Sequence, residues 1–434
     1  MDKRSGQAGV DALTGLLDRD EFVRQATELI QEQAAAGEGV DVCAFDIENF
    51  NLFCSQFVSK HTDRILRKVA AIIDDSFDDG VVSHLYSDHF AVAVPHDEDL
   101  PDRIDRLQDD VYGCQPDKYA IVLKCGICTY VPDENGIDAA AALDHARMAC
   151  AEIMNNFGVD YIYYDELMLR QAALRNHIVS DMDEALEQGY VHLRYQPIMD
   201  IEKVECCAFE ALASWDDPTY GAITPGTFIK VLEKARQVHR VDEFVLRQVC
   251  SYQRGVIDCG VEPLPVSVNL SDLDFELCDM PELAREACEE AGIEPGLVCF
   301  EVADSALTAH SEKVLEGVKG LRELGHEVWI DDFGSGGATF GVLRDEHFDL
   351  FKVDMGSFDD VGDTDEGKRG QLIVESLINT AKSLGMRTLA KRVETESQYE
   401  FLREAGCDLA QGHLFGEPVP TDLDSLIEAL GEPE

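Results

Sequence analysis

Apolar and polar positions follow two different rhythms along this chain. From about residue 190 onward, short apolar runs alternate with helical stretches, and nearly every run stops on an acid, an amide or a lysine. The runs are VHLRYQPIM (191–199), VECCAFEAL with Glu210, LPVSVN to Asn269, LVCFE to Glu301 and HEVWIDD to Asp331 and Asp332. They continue with FDLFKVD, carrying Lys352 and Asp354, then MRTLAKRVE, carrying Lys391 and Glu394, and CDLAQG with Gln411. Eight strand-sized runs, mostly spaced by helical patterns, predict a TIM-type (β/α)8 barrel over residues 190–430. Strand C-termini in such a barrel converge on one mouth. Carboxylates and an amide meeting there would make an oxygen-rich site suited to Mg2+ or Mn2+.

The first part of the chain, residues 9–165, mixes strands and helices in another order. VDVCAFDIENF reads as a buried strand ending in acids, and HLYSDHFAVAVP as a hairpin with Ser87 and Asp88 at its tip. YAIVLKCGICTYV and YIYYD read as further strands flanking a helix over DAAAALDHARMACAEIMNN. An α+β sandwich is expected. Residues 166–189 carry a helical pattern without proline, which predicts a rigid connecting helix. The charged segment DDVGDTDEGKRG after the sixth barrel run is expected to be a solvated loop over the mouth.

Composition narrows the functional classes. Hydrophobic residues make up 45% and charged residues 28%, ordinary for a globular protein. No apolar run approaches the ~20 residues needed to cross a bilayer, and MDKRSGQAGVDALTG has no signal-peptide core, so a cytoplasmic location is expected. The 14 cysteines fit that compartment as free thiols. Cys125 and Cys128 form a C-x-x-C pair inside a strand, where alternation sends them to opposite faces. A net charge of −50 argues against nucleic acid or anionic membrane as partner. Any anionic ligand must be drawn by a local island of metal or basic side chains.

The ordered motifs YQPI, FEAL, VSVNLS, FEVADS, IDDFGSG, FKVD, VET and QGHLF resemble the EAL family of cyclic-di-GMP phosphodiesterases. DALTGLLDR, DIENF and YSDHF resemble the GGDEF family of diguanylate cyclases, implying a cyclase-palm domain with a ferredoxin-like core. The first resemblance implies Glu210, Asn269, Glu301, Asp331 and Asp332 as ligands of Mg2+ or Mn2+. It implies that Lys352 orients the attacking water and that Glu394 and Gln411 support the site. The second resemblance implies Asp46 and Asp88 as metal carboxylates and Asp63 as an acidic nucleotide contact in the N-terminal domain.

Both domains depart from their family patterns. Where the EAL family has A-E-G-V-E-T, this chain has Ala390-Lys391-Arg392-Val393-Glu394-Thr395. The missing glutamate is the family's general base, and an ammonium with a reference pKa of about 10.4 cannot accept a proton at neutral pH. The arginine that grips a ligand phosphate is Ser214 here, and the Thr and Glu of the loop motif are Ala303 and Asp304. The glycines of the GGDEF tip are replaced in Tyr86-Ser87-Asp88-His89-Phe90, and the guanine-reading asparagine falls on Cys54. Cyclase activity is not expected. Lys391 and Arg392 set two cations at the mouth, among the ligand-facing residues Gln411, Ser214 and Asp354, and Lys391 either pairs with a ligand phosphate or neutralises Glu210 or Asp331 and closes the site. Three functions follow: a cyclic-di-GMP receptor or relay to a protein partner, a slow phosphodiesterase forming linear pGpG, or a nucleotide-independent scaffold. Homodimerisation is compatible with each.

Overall fold

The computed structural model describes residues 9–56, 59–113, 121–130, 138–154, 156, 158–309, 311–331, 347–357 and 365–420. The chain divides into two compact units that meet at residues 173 and 174.

The first unit is a five-stranded sheet built from β1 (Val40–Ile47), β2 (Val81–Tyr86), β3 (His89–Pro95), β4 (Leu123–Tyr130) and β5 (Tyr161–Tyr163). Its spatial order is β2-β3-β1-β4-β5, and only the β4–β5 pair is parallel. β1 is apolar on both faces because helices cover both. Helices Ser59–Ser76 and Leu100–Gly113 bury Ile65, Val69 and Ile104 against one face. Helices Arg19–Ala36 and Ala139–Ile153 bury Phe22, Ala26 and Leu143 against the other. The two clusters divide Cys125 from Cys128, as strand alternation requires. Gly126 has no alternative: a Cβ there would stand 2.0 Å from the Ala146 carbonyl oxygen. The predicted hairpin is present, and Ser87 turns it with φ 51°.

The predicted connecting helix is two helices, Glu166–Ser180 and Met182–Glu187. The break falls where Ser180 Oγ donates to Asp181 Oδ1 (2.5 Å) and the Asp181 carboxylate pairs with His177 (2.8 Å). Such local side-chain bonds compete with helix continuation.

In the second unit eight strands close a ring. They are β6 (Val191–Asp200), β7 (Glu205–Asp217), β9 (Val266–Leu270), β10 (Val298–Ala303), β11 (Val328–Asp331), β12 (Leu350–Asp354), β13 (Arg387–Lys391) and β14 (Leu409–Ala410). Short strands β8 (Gly221–Ile223) and β15 (Val419–Pro420) extend it beside β7 and β6. β6 runs antiparallel to both its ring neighbours, while the other seven are parallel. The cause is the link to β7, four residues long, too short for the crossover that a parallel pair needs. Part of the expected solvated loop after β12 is helical instead, since helix Asp365–Ser383 begins inside it; residues 358–364 lie outside the described residues. Among the described residues no helix is long and apolar enough to cross a membrane.

Alternation builds the barrel interior in layers. Ala208, Cys299, Trp329, Leu350, Leu389 and Leu409 form a buried apolar floor with Ile198. Two residues further along the same strands, on the same face, stand Glu210, Glu301, Asp331, Lys352, Lys391 and Gln411. The intervening residues, such as Phe209, Phe300, Ile330 and Phe351, face outward into the helix-covered core. The polar layer is therefore a direct product of period two on a closed ring.

Candidate functional site

Lys352 is the hub of the polar layer. Its Nζ lies 3.0 Å from Glu210 Oε2 and 2.5 Å from Glu301 Oε2, and it is 1% exposed. Beneath it, 6.0 Å away, is the face of Trp329. Glu210 also accepts from Asn269 Nδ2 (2.9 Å) and Gln411 Nε2 (2.8 Å). Gln411 Nε2 in turn contacts Gln196 Oε1 (3.1 Å), which the β6–β7 register sets opposite Glu210. Gln196 sits in the YQPI motif, yet sequence reading gave it no role.

The electrostatics follow from this packing. Burial raises the Glu210 pKa, but Lys352, Asn269 and Gln411 outweigh it and bring it to about 2. Glu301 goes the other way: burial, then the charge of Glu210, lifts it to about 7 against the pull of Lys352. Burial disfavours the Lys352 ammonium, but Glu210, Glu301 and Asp331 hold it charged, well above a lysine's ordinary range.

Lys391 ends β13 and turns inward to Asp331, with Nζ 2.7 Å from Oδ1 and 2.9 Å from Oδ2. The ammonium therefore rests on one of the expected metal ligands, and the partner is Asp331 rather than Glu210. Arg392 does not join it in the layer. The side chain is exposed, Nε donates to Asp354 Oδ1 (2.6 Å), and Nη2 pairs with the other carboxylate oxygen. Burial pushes the Asp354 pKa up, but Arg392, the Gly356 N–H and Lys391 hold it below the ordinary range. Arg392 has φ 59°, a left-handed conformation where the family motif has glycine.

The other expected residues are placed less centrally. Glu394 is exposed, and its backbone N–H donates to Gln398 Oε1 (2.8 Å). Ser214 is half-buried on β7, opposite His192. Asp332 lies outside the described residues. Among the described residues, no three His, Cys, Asp or Glu side chains converge as a metal-ligating group. The expected convergence is interrupted because Lys352 holds Glu210 and Glu301, and Lys391 holds Asp331. One feature still suits a cation: Glu301 Oε1 is buried without a hydrogen-bond partner. Among the described residues, the donor set suits one divalent ion beside Glu210, Asn269 and Glu301. A second ion at Asp331 would meet the Lys391 ammonium.

A cavity of about 550 Å3 opens beside the layer, with Asn269 and Asp331 in its wall together with Lys230, Glu233 and Ser271. Asp242 also lines it. The Asp242 carboxyl neighbours that of buried Asp274, and Asp274 accepts the Ser271 N–H (2.7 Å). Burial, then the neighbouring Asp274, holds Asp242 protonated well above the ordinary range, and burial lifts Asp274 from 3.8 to about 6. A carboxyl whose pKa is raised by folding stabilises at low pH and loses that contribution as pH climbs through the folded value. The stability contributed by this pair should therefore fall as pH rises above 3.8, through about 6 for Asp274 and further up for Asp242. Asp274→Asn should lessen that fall, leaving only the part due to buried Asp242, and make the variant about 1–3 kcal/mol more stable than wild type at pH 8, because an amide can donate to Asp242. Urea unfolding at pH 4 and pH 8 measures this; equal pH slopes for the two proteins would refute it.

In the N-terminal unit, a histidine occupies the place expected for a metal. His89 Nδ1 hydrogen-bonds to Asp46 Oδ1, and Nε2 lies 4.0 Å from Asp88 Oδ1. The bond to Asp46 raises the His89 pKa against the cost of burial, and both acids add to it. Burial in turn raises Asp88. Tyr86 covers the tip, receiving a bond from Arg147 (2.6 Å). Asp63 is on helix Ser59–Ser76 with no described contact to either acid, and Cys54 is exposed.

The comparisons with known proteins agree with this architecture. The EAL domain model matches residues 179–418, and the model described as diguanylate cyclase, GGDEF domain, matches residues 8–157. The cyclic di-GMP phosphodiesterase NbdA of Pseudomonas aeruginosa is 29% identical over 98% of this chain and 54% of its own length. This chain thus spans about half the length of the curated relatives it matches. Among solved structures, the PaMucR phosphodiesterase in complex with c-di-GMP is 30% identical, with a TM-score of 0.53 over 58% of this chain and 99% of that one. The S helix–GGDEF–EAL structure of Vibrio cholerae LapD, bound to c-di-GMP, is 18% identical with a TM-score of 0.50 over 94% and 96% of the two chains, which speaks for the fold alone. The closed ring, its polar layer and these matches together establish that the chain belongs to the EAL-domain family, here in tandem with a GGDEF domain, the pairing of cyclic-di-GMP signalling proteins.

Proposed function

We propose that the barrel binds cyclic-di-GMP and holds it without appreciable hydrolysis, so that the chain acts as a receptor or relays the signal to a protein partner. The observation that carries this reading is the Lys391 ammonium 2.7 Å from Asp331, where the family places a proton acceptor. A protonated amine cannot activate water, and it repels a second divalent cation. It does suit a phosphate, as a compact cation on a flexible stem. Glu210, Asn269 and Glu301 would hold a single Mg2+ or Mn2+, whose chemistry when bound is to polarise a phosphoryl oxygen.

Further support comes from the adjoining cavity, whose volume of about 550 Å3 falls in the range of small-molecule sites. The GGDEF domain carries the same signature, with His89 set between Asp46 and Asp88; a regulatory role suits it better than cyclisation of GTP. A slow phosphodiesterase is the second reading, favoured by the intact constellation of Glu210, Asn269, Glu301, Lys352 and Gln411.

Calorimetric titration with cyclic-di-GMP tests the receptor reading. Binding is expected even without a divalent metal. No heat up to high micromolar ligand, with or without metal, would remove it.

A further inference from the structure

The helix shared by the two units is fastened to the barrel by little apolar surface. Residues 166–173 of helix Glu166–Ser180 belong to the first unit and residues 174–180 to the second. Ile178 is its one buried residue, Leu174 packs partly buried against the barrel core, and Leu167 and Leu169 are exposed. The other hold is polar. His177 Nε2 stands 2.6 Å from Asp217 Oδ2 at the end of β7, and Nδ1 stands 2.8 Å from Asp181 Oδ2 just beyond the helix. The imidazole is largely buried and the Asp217 side chain almost wholly so. Asp217 is itself fixed in place, since its Oδ1 accepts the N–H groups of Thr219 (2.8 Å) and Tyr220 (2.9 Å) in the turn to β8. The Tyr220 ring lies beside the imidazole, 4.8 Å between centroids.

This geometry sets the protonation of the ring. A carboxylate only accepts, so each ring nitrogen must carry a hydrogen. A neutral imidazole has one N–H, and its other nitrogen would turn a lone pair toward a carboxylate oxygen. The titratable groups facing the ring are Asp181 from its own segment, Asp217 from β7 and Tyr220 from the turn. Burial pushes the Asp217 pKa up, but His177 and the N–H groups of Tyr220 and Thr219 hold it below the ordinary range. Asp217 is thus a buried carboxylate that the imidazolium neutralises, as a buried charge requires.

We propose that His177 is a pH-sensitive latch, which fastens the last turns of the connecting helix to the barrel when its ring is charged and loosens them when the ring gives up a proton. Imidazole is the side chain whose charge changes between about pH 5 and 8. Below that window both nitrogens donate, and the helix is tied at once to Asp217 on the barrel and to Asp181 at the helix break. Above it one of the two contacts is lost as the proton passes to solvent, and residues 174–180 are left chiefly with Ile178 and Leu174. Asp217 keeps its two backbone donors in either state, so the turn to β8 stays formed while the helix end comes free. The device acts on the one helix that both units share.

The test is hydrogen exchange of the full chain at pH 5.5 and pH 8.5, read by mass spectrometry and corrected for the intrinsic pH dependence of amide exchange. Protection of residues 174–180 should fall by roughly tenfold or more at the higher pH, the loss of one hydrogen bond to a charged group. His177→Gln carries no titrating charge and should show the low protection at both pH values. Asp181→Asn offers a side chain that donates as well as accepts, so it can pair with either form of the ring and should keep the protection high at both. Equal protection of residues 174–180 in the wild type at the two pH values, or the same fall in His177→Gln, would overturn the proposal.

Discussion

Replacing Lys391 by glutamate together with Ser214→Arg is expected to raise cyclic-di-GMP hydrolysis by about 10²–10⁴-fold, the span over which a general base ordinarily acts. The Lys391 side chain ends in the polar layer and rests on Asp331. The exchange removes that cation, releases the Asp331 carboxylate and adds a proton acceptor at the same height on β13. A unit charge about 4 Å from another is worth roughly 4 kcal/mol at an effective dielectric of 20, so changing its sign should let a second divalent cation settle. Ser214 lies on β7 four residues beyond Glu210. Arginine there would restore a two-pronged grip on phosphate in place of one neutral hydrogen bond. Initial rates of pGpG formation with Mn2+, followed by chromatography for wild type, both single variants and the double variant, give the answer. An unchanged rate in the double variant would mean that position 391 is not the missing base.

Loss of Lys352 should be the most damaging single change to stability. Its ammonium is the common partner of two buried acids, and removing one member of a buried ion pair typically costs about 3–5 kcal/mol. Lys352→Met keeps much of the volume over Trp329, so most of the effect will be electrostatic. Without the ammonium, Glu210 loses the main influence that brings it to about 2, and Glu301 loses its one attraction. Both carboxyls should then titrate above the unfolded value of 4.5. Raised acids stabilise at low pH and cease to as pH rises, so the variant should lie closest to wild type near pH 5 and farthest from it at pH 8. Urea midpoints at the two pH values measure this. A deficit that is the same at both would show that packing, not charge, is what Lys352 supplies.

Most of the barrel could be read from the order of residues, because its construction is periodic. Each run carries an apolar residue for the floor and, two positions later, a polar residue for the layer above. Leu350 and Lys352, or Leu389 and Lys391, are sufficient to see it. The reversed direction of β6 was also available in the sequence. Only Ile201 to Val204 separate it from β7, and a parallel pair needs a longer crossover.

Other features depend on distances that no linear pattern carries. Whether Lys391 meets Glu210 or Asp331 is decided by the spacing of strands around the ring, and the two acids lie 121 positions apart in the chain. Arg392 was grouped with Lys391 at the mouth, but its left-handed backbone turns it outward to Asp354. His89 was visible in the altered hairpin tip, yet its bridging of Asp46 and Asp88 depends on the β1–β3 pairing. The Asp242–Asp274 pair unites residues of two different helices, with no motif to announce it.

The fate of bound ligand tests the central claim most directly. Wild-type protein should be mixed with excess cyclic-di-GMP and Mn2+ at neutral pH, and the nucleotides separated after hours of incubation. A cation at position 391 that pairs with phosphate but takes no proton predicts cyclic-di-GMP bound and recovered intact. Linear pGpG accumulating over many turnovers would contradict it.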